Sequence, residues 1–390
     1  MAILRPVLRL GLTMLVGDRA KFLGILLGVS FAALLITLQG SMFAGVMYRT
    51  IGLIRDTGAA QIWVMDPKVQ FIDDLKPLAD ADLDRVRSVP GVAWAVPFFK
   101  GVLRARLNDG TYQSCTVLGL DDTSLTGGPP KMVAGRLEDL RRADGVIVDA
   151  LGARTKLART LADGTRWPLA IGDELELSDR RAVVVGLCEV SKVFGSFPTI
   201  YTTYRRATAF APPERRQMSF VIAQAAGDTD PLALCASISK ATGLQALTQD
   251  GFARATVVYF LRNTPIPINI GLGVILSFLI GAAITGLTFH QFVHENLRYL
   301  GALKAMGATD AMLARLTIVQ AMTVGFIGYG CGTGLACLIG YLMRNTEAQF
   351  RTPWYLLVFC AVAVAVICGL AALVGLRKVV KLEPAIVFRS

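Results

Sequence analysis

HQFVHENLRYLGALKAMGATDAMLARLTIVQ, residues 290–320, is the stretch that decides how this chain is organised. It is the only substantial polar interruption in the last third of the sequence, and a long uncharged run lies on either side of it. Apolar residues recur at helical spacing after Glu295, which predicts a short amphipathic helix. Gly307 stands where a C-terminal glycine cap belongs, and Thr309 or Asp310 can cap a following helix. We therefore expect a helix at a membrane surface, a sharp turn, and a second helix that returns into lipid.

Long uncharged runs predict the membrane spans. They are residues 22–48, 264–294, 316–343 and 352–376. Each exceeds the roughly 20 residues that an α-helix needs to cross a bilayer. A signal peptide is the competing interpretation of the first run, but the run is too long and no cleavage site closes it convincingly. A mean hydropathy of +0.52 with 18% charged residues indicates a protein that is part membrane and part aqueous domain.

The aqueous part is one long insertion, residues 49–262. It holds 27 basic and 24 acidic residues, and the basic residues are interspersed with acidic and turn residues. The absence of a clustered basic stretch argues against nucleic-acid binding. Strand and helix patterns alternate along it, with a helix over 231–242 and a hairpin whose turn is NDG at 108–110. A further helix is expected over 249–263. This pattern predicts an α+β domain.

Glycines in the first and third uncharged runs make GxxxG patterns that permit close helix packing. The predicted packing residues are Gly24, Gly28, Gly328, Gly330, Gly332 and Gly334. The spans hold no ionisable residues apart from interfacial histidines. Such spans suit helix contact and force transmission better than a hydrophilic conduit.

Motifs for catalysis and metal binding are missing from the sequence. No G-x-x-x-x-G-K-[ST] loop occurs, so any ATPase has to be another chain. His290 and His294, four residues apart, are best explained as interfacial histidines and not as metal ligands. Cys115, Cys188 and Cys235 lie in the insertion, where either one disulfide or only free thiols can occur.

LGALKAMGA, residues 300–308, resembles the cytoplasmic signature of the FtsX/MacB-like ABC transporter permease family, the DevC-like and LolC-like mechanotransmission type. The family pattern has an acidic residue shortly before an IGxLKAxGA core. Glu295 fits it, whereas Tyr299 stands where the family usually has a glutamate. LGILLGV at 23–29 and KLEPA at 381–385 resemble the family's first membrane helix and closing motif. The resemblance thus covers the membrane part.

The resemblance implies an α-helical four-span bundle with a large α+β extracytoplasmic domain between spans 1 and 2. The implied segments are a cytoplasmic amphipathic N-terminal helix (1–21), TM1 (22–48), a periplasmic MacB-like core domain (49–263) with porter-like halves (about 49–120 and 209–263) and a β-rich sabre-like insertion (about 121–208), TM2 (264–294), a cytoplasmic coupling helix and turn (295–315), TM3 (316–343), a short periplasmic loop (344–351), TM4 (352–376) and a cytoplasmic tail (377–390).

In that family the helix in the central loop is a coupling helix that docks on a separate ATPase subunit. The residues that the resemblance places in this contact are Glu295, Arg298, Leu300, Gly301, Leu303, Lys304, Ala305, Gly307 and Ala308. Other implied partners are a second permease protomer, identical or not, and a membrane-fusion adaptor with an outer-membrane duct. No cofactor is expected in this chain, since ATP and Mg would be held by the ATPase. An ordinary interfacial helix is the alternative.

Positive charge predicts the orientation. The N-terminal segment, the central loop and the tail hold 11 Lys and Arg, which places them in the cytoplasm of a bacterial inner-membrane protein with a periplasmic domain. The expected function is that of a permease subunit, without ATPase activity of its own, that exports or extracts a periplasmic or lipid-like substrate. The alternatives are an FtsX-like signal transmitter that controls a periplasmic hydrolase, and a membrane-bound enzyme whose site lies in the insertion.

Overall fold

A computed structural model describes residues 13, 19–107, 109–160, 166–191, 195, 197–343 and 350–380. The predicted amphipathic helix at 1–21, the loop at 344–351 and the tail at 377–390 lie largely outside these residues. The chain divides into two compact units. We call Met1–Val46 together with Pro265–Ser390 the membrane unit, and Met47–Thr264 the inserted domain.

The described part of the chain contains long helices in the membrane unit and alternating elements in the inserted domain. The helices are α1 (Arg19–Thr50), α2 (Gly52–Asp56), α3 (Asp80–Arg87), α4 (Ala150–Arg154), α5 (Tyr204–Phe210), α6 (Pro231–Thr242), α7 (Gln249–Asn263), α8 (Ile266–Glu295), α9 (Leu297–Ala305), α10 (Asp310–Leu342) and α11 (Trp354–Val380). The strands are β1 (Ile62–Met65), β2 (Val92–Arg106), β3 (Tyr112–Leu120), β4 (Lys131–Ala134), β5 (Gly145–Asp149), β6 (Arg159–Thr160), β7 (Arg166–Trp167), β8 (Glu174–Leu177), β9 (Arg180–Glu189), β10 (Thr199–Thr203), β11 (Phe220–Ala225) and β12 (Gln245–Thr248).

Four helices of the membrane unit are long and apolar enough to cross a bilayer. Their apolar stretches are Phe22–Thr50, Ile266–Glu295, Asp310–Leu342 and Trp354–Leu373. Continuous helices pair their own backbone groups, which the hydrocarbon core of a membrane requires. The predicted fold class, four spans with a large α+β domain between the first and second, is confirmed.

Close glycine contacts join α1 to its neighbours. A Cβ placed on Gly28 would lie 2.8 Å from Cγ2 of Ile284 in α8, and one placed on Gly328 would lie 2.7 Å from Cγ1 of Val29. A Cβ on Gly332 would meet the backbone oxygen of Ser30. Without glycine at these positions, α1 would have to move away from α8 and α10.

Two of the predicted packing glycines lie elsewhere on α10. A Cβ on Gly330 or Gly334 would have no atom within 4 Å among the residues that the structure describes. Two residues along a helix correspond to a rotation of about 200°, so Gly330 and Gly334 lie on the face opposite to Gly328 and Gly332. These two glycines therefore make no close helix contact within the described part of this chain, and their role in helix packing stays a prediction.

The inserted domain is built on a ten-stranded sheet with the order β12-β1-β11-β2-β3-β10-β5-β9-β4, and β8 pairs with β2 and β9. At one end, β1-α3-β2 and β11-α6-β12 are two βαβ units whose strands interleave, as in ferredoxin-like folds. Ile62 and Val64 pack with the core that contains α3 and α6, while Trp63 and Met65 pack with the core that contains Phe252 of α7. Both faces of β1 are therefore buried.

Strand β2 belongs to both halves of this sheet. The sequence predicts separate strands over 92–99 and 102–107, but the structure has one 15-residue strand. Its first part pairs with β11, and from Phe99 onward it pairs with β3. The boundary between the two halves of the sheet therefore lies within β2, at about residue 99. The predicted boundary of the first porter-like half lies later, at about residue 120. The gap between the two predicted strands is residues 100–101, where the strand in fact continues and the ring of Phe99 packs against Gly101.

The cysteines of the inserted domain are buried free thiols. Burial raises the pKa of Cys115 and of Cys188 to about 12, and that of Cys235 to about 11. Protonated thiols are poor nucleophiles. Of the two alternatives for these residues, the structure has the free thiols.

A partly buried carboxylate ties α2 to the segment after β9. Asp56 accepts hydrogen bonds from the backbone N–H of Ser191 at 2.7 Å and from its hydroxyl at 2.8 Å. Burial raises the pKa of Asp56 above its ordinary value, and the two bonds from Ser191 oppose that shift. The native state therefore binds this proton more tightly than the unfolded chain does.

Asp56→Asn should change the pH dependence of stability. The raised native pKa contributes stability at low pH, which is lost as pH rises through that pKa, and the asparagine removes this term while it can still pair with Ser191. We expect the wild-type chain to gain stability relative to the variant as pH falls from about 7 to about 4. Thermal unfolding of the full chain in detergent measures this, with Asp228→Asn as a control for loss of one exposed charge. Parallel profiles for wild type and Asp56→Asn would refute it.

Gly332→Ala and Gly330→Ala should differ in their effect on the membrane unit. The first puts a methyl group against the backbone of α1, for which overpacking costs about 1–3 kcal/mol of the free energy of unfolding. Gly330→Ala adds a methyl group where no described atom lies within 4 Å, and alanine stabilises a helix relative to glycine by about 1 kcal/mol. Thermal unfolding in detergent should show a loss for Gly332→Ala only. Equal losses would mean that α1 and α10 do not pack as described.

Candidate functional site

The central loop forms a short helix that follows a break at Asn296. Helix α8 ends at Glu295, and the side-chain amide of Asn296 donates to the carbonyl of Phe292 at 2.8 Å. This bond satisfies one of the open carbonyls that every helix end leaves. The chain then turns and begins the nine-residue helix α9 at Leu297.

The end of α9 is fixed by a glycine cap. The N–H of Gly307 donates to the carbonyl of Lys304, and the N–H of Ala308 donates to that of Leu303, both at 3.0 Å. Gly307 has a φ of +99°, which favours glycine. This is the Schellman arrangement, and it confirms the predicted cap.

The following helix is capped by the first of the two predicted residues. The Thr309 hydroxyl accepts from the N–H of Met312 at 3.3 Å. Asp310 instead forms an ion pair with Lys304, whose Nζ lies 2.8 Å from Oδ1. This ion pair links the last turn of α9 to the first turn of α10.

One face of α9 is buried in the membrane unit. Leu300 is 3% exposed and belongs to the same core as Leu313 and Leu316 of α10 and Phe292 of α8. Gly301 beside it is buried as well. This face attaches α9 to the ends of two spans, so the helix is held as a rigid part of the bundle.

The opposite face is apolar and exposed. Tyr299 is 66% exposed and Met306 is 77% exposed, and Ala302 and Ala305 between them are exposed too. Residues 299, 302 and 306 recur at the spacing of one helix face. We call Tyr299, Ala302, Ala305 and Met306 the coupling face. An apolar surface on a rigid, capped helix is suited to bind another protein.

The predicted contact residues lie on different sides of α9. Glu295, Ala305 and Gly307 are exposed, Leu303, Lys304 and Ala308 are half-buried, and Leu300 and Gly301 are buried. The side chain of Arg298 lies outside the described part of the structure. That these residues contact an ATPase stays a prediction.

Three exposed residues were missed in the sequence. Tyr299, Ala302 and Met306 were not among the predicted contacts, because the family signature drew attention to the residues that it contains. The helical period itself carried the signal. Once Leu300 is placed toward the bundle, residues one position before it and two or six positions after it point away.

The two histidines lie on the last turns of α8, with ring centroids 6.4 Å apart and nearly parallel planes. Within the described ranges, no group of three or more His, Cys, Asp or Glu side chains is placed to hold a metal ion. The coupling face is therefore the feature of the central loop that the structure offers for binding.

Two family models match the chain. The MacB-like periplasmic core domain matches residues 22–241, and the FtsX-like permease C-terminal model matches residues 271–384. The second match contains α9 and the coupling face, and the first contains most of the inserted domain.

Similar proteins include two described as uncharacterised ABC transporter permeases of Mycobacterium tuberculosis. Rv2563 is 24% identical over 320 residues, which cover 80% of this chain and 79% of that protein. Rv0072 is 25% identical over 315 residues, with the same two coverages of 80% and 79%.

Two solved structures are similar to part of this chain. The extracellular domain of the noncanonic ABC-type transporter YknZ from Gram-positive bacteria is 13% identical, with a TM-score of 0.33, over 48% of this chain and 98% of that one. The periplasmic region of MacB from Actinobacillus actinomycetemcomitans is 14% identical, with a TM-score of 0.36, over 54% and 96%. The core-domain model alone spans more than half of the chain. This protein is an ABC transporter permease of the FtsX/MacB family.

Proposed function

We propose that this chain is the permease subunit of an ABC system of the MacB/DevC/Lol type. It couples ATP hydrolysis by a separate ATPase to movement of the inserted domain, and so exports or extracts a periplasmic or lipid-like substrate. The family implies the partner ATPase. The observation that carries the proposal is the coupling face, an exposed apolar surface on a short helix that ends in a glycine cap.

The way α9 is mounted supports this role. Leu300 and Gly301 attach the helix to α8 and α10, and the Lys304–Asp310 ion pair at 2.8 Å closes the turn behind it. A force applied to Tyr299 or Met306 therefore reaches two spans without first bending a loop. In this proposal Leu300 and Gly301 hold the helix in position, and the coupling face makes the contact.

The interior of the spans favours force transmission over a polar pathway. In the described residues, several hydroxyl groups of the spans bond to carbonyls of their own helix, and the Thr37 hydroxyl in α1 donates to Sγ of Cys360 in α11. Ser277 donates to Gly273 at 2.7 Å, and Thr317 donates to Leu313 at 3.0 Å. Asp, Glu, Lys and Arg occur only near the ends of these helices. Ionisable residues along an ion or solute pathway would be expected inside the spans of a conducting protein.

The distribution of basic residues supports the proposed orientation. Of the short segments that flank the spans, the N-terminal segment, the central loop and the tail hold 11 Lys and Arg, whereas the loop after the third span holds only Arg344 and Arg351; we place the first three in the cytoplasm together with both termini. The inserted domain is then periplasmic. We further propose a second permease protomer, ATP and Mg on the ATPase only, and an adaptor with an outer-membrane duct.

An FtsX-like transmitter that controls a periplasmic hydrolase is the second candidate. The FtsX-like permease model over residues 271–384 supports it, because the same coupling face would serve either protein. The two candidates differ in what accompanies the inserted domain. An adaptor favours transport, and a cell-wall hydrolase favours signalling.

Tyr299→Asp with Met306→Asp should abolish binding of the ATPase. The change places charge on the coupling face without touching the buried face, so stability should stay unchanged while co-purified ATPase falls by at least about tenfold. Affinity purification of the tagged full chain from its own host, with the ATPase identified by its phosphate-binding loop and by ATP hydrolysis, measures this.

Leu300→Ala is the matched control at the adjacent position. Loss of this buried side chain should cost about 2–5 kcal/mol of stability, while the folded fraction keeps its ATPase. If the charged double variant still binds ATPase, or if no ATPase accompanies the wild-type chain, the proposed function is wrong.

A further inference from the structure

Helix α7 connects the sheet of the inserted domain to the second span. It follows β12 directly and ends at Asn263, and α8 begins three residues later. Its start is fixed, since the Thr248 hydroxyl accepts from the N–H of Gly251 at 3.1 Å and the Gln249 amide donates to the carbonyl of Ile54 at 2.6 Å. At 15 residues, α7 is about 22 Å long. A helix held only at its start would pivot there when its other end is pushed.

A second attachment lies near the far end of α7. We call residues 66–78, between β1 and α3, the clasp. The ring of Phe71 in the clasp stacks on Tyr259, with centroids 4.2 Å apart and planes 13° apart, and meets Phe260 edge-on at 5.5 Å. This contact lies about ten residues, or about 15 Å, along the helix from Gln249.

The clasp is itself fixed to the sheet. Asp73 forms an ion pair with Nζ of Lys100 in β2, and the Lys100 side chain is only 3% exposed. The same Nζ donates to the carbonyl of Ile72 at 3.2 Å. At the end of the clasp, the N–H of Leu78 donates to the carbonyl of Met218 at 2.8 Å.

The first half of α7 is thus held against the sheet by its capped start and by Phe252 and Ala253 in the core, and the second half is held by the clasp. We propose that the clasp is the coupling element that carries movement of α7 into the sheet, with Phe71, Asp73 and Lys100 as its positioning residues. This inference rests on the proposed function, since it assumes that α8 moves when the ATPase works. With the clasp in place, the whole of α7 and the sheet move together. With the clasp released, the second half of α7 can bend away from the sheet, and less of its movement reaches the sheet.

Distances between labelled protomers test this in the complete complex. One pair of spin labels is placed at Arg262, the exposed residue next to the end of α7, and another at Val133, a 49% exposed residue of the edge strand β4. Cys331 and Cys337 are exposed and are replaced by alanine first, whereas the other five cysteines are buried. Electron–electron distance measurements are made without nucleotide and with ATP in nanodiscs.

Phe71→Ala should affect the ATP-dependent distance change at only one of the two labelled positions. In the wild type, ATP should change the distances at both positions. In the variant, the change at Arg262 should remain, and the change at Val133 should fall by at least about threefold. Phe71→Tyr keeps the aromatic stack and should restore it. Asp73→Asn, which breaks the ion pair but keeps the ring contact, should act in the same direction and serves if Phe71→Ala does not fold.

Val86→Ala controls for general loss of stability. Val86 is fully buried in α3 and belongs to the core on one face of the sheet, whereas Val69 and Ile72 of the clasp belong to the core on the other face. This variant should lower the unfolding temperature but keep the ATP-dependent change at Val133. Changes at both positions in Phe71→Ala and in Asp73→Asn would overturn the clasp inference. No change at either position in the wild type would instead overturn the proposed function.

Discussion

Inside a bilayer every backbone N–H and C=O must find its partner within the protein, and the membrane unit depends on that constraint. It explains why the four spans are unbroken helices, and some hydroxyl groups, such as that of Thr317, add a bond to a carbonyl of their own helix. Irregular backbone is then restricted to the ends of the spans. Asn296 and Gly307 occupy those ends and supply the hydrogen bonds that the interrupted helices need.

The same constraint shapes the candidate site. Since α9 lies between two capped breaks, it can turn one side toward the bundle and the other away from it. Leu300 contributes to the core that α8 and α10 share, and Tyr299 beside it is exposed. A surface of this kind resists deformation because its supports are spans and not loops. The inserted domain has a comparable arrangement, in which α7 is held against a sheet at two separated points.

Much of this architecture could be predicted from local sequence. Missing charge located the spans, and turn and capping residues gave the bounds of α6 and α7 and the turn at Gly307. Which way a helix face points could not be predicted in the same manner. Leu300 and Tyr299 are both apolar, so only contacts with α10 distinguish them. Gly330 and Gly332 are chemically identical, and only the position of α1 separates a packed glycine from an open one.

Strand β2 has a consequence for how such a domain can change over evolution. Because its first part pairs with β11 and its later part with β3, the two halves of the sheet share one continuous strand. Removal of the β-rich half would leave the later part of β2 without its partner strand β3, although that part is continuous with the part that pairs with β11. The β-rich half of the inserted domain is therefore not a separate module that was added at a loop of the other half. An exchange of the β-rich half would have to cut within β2 and not at a loop.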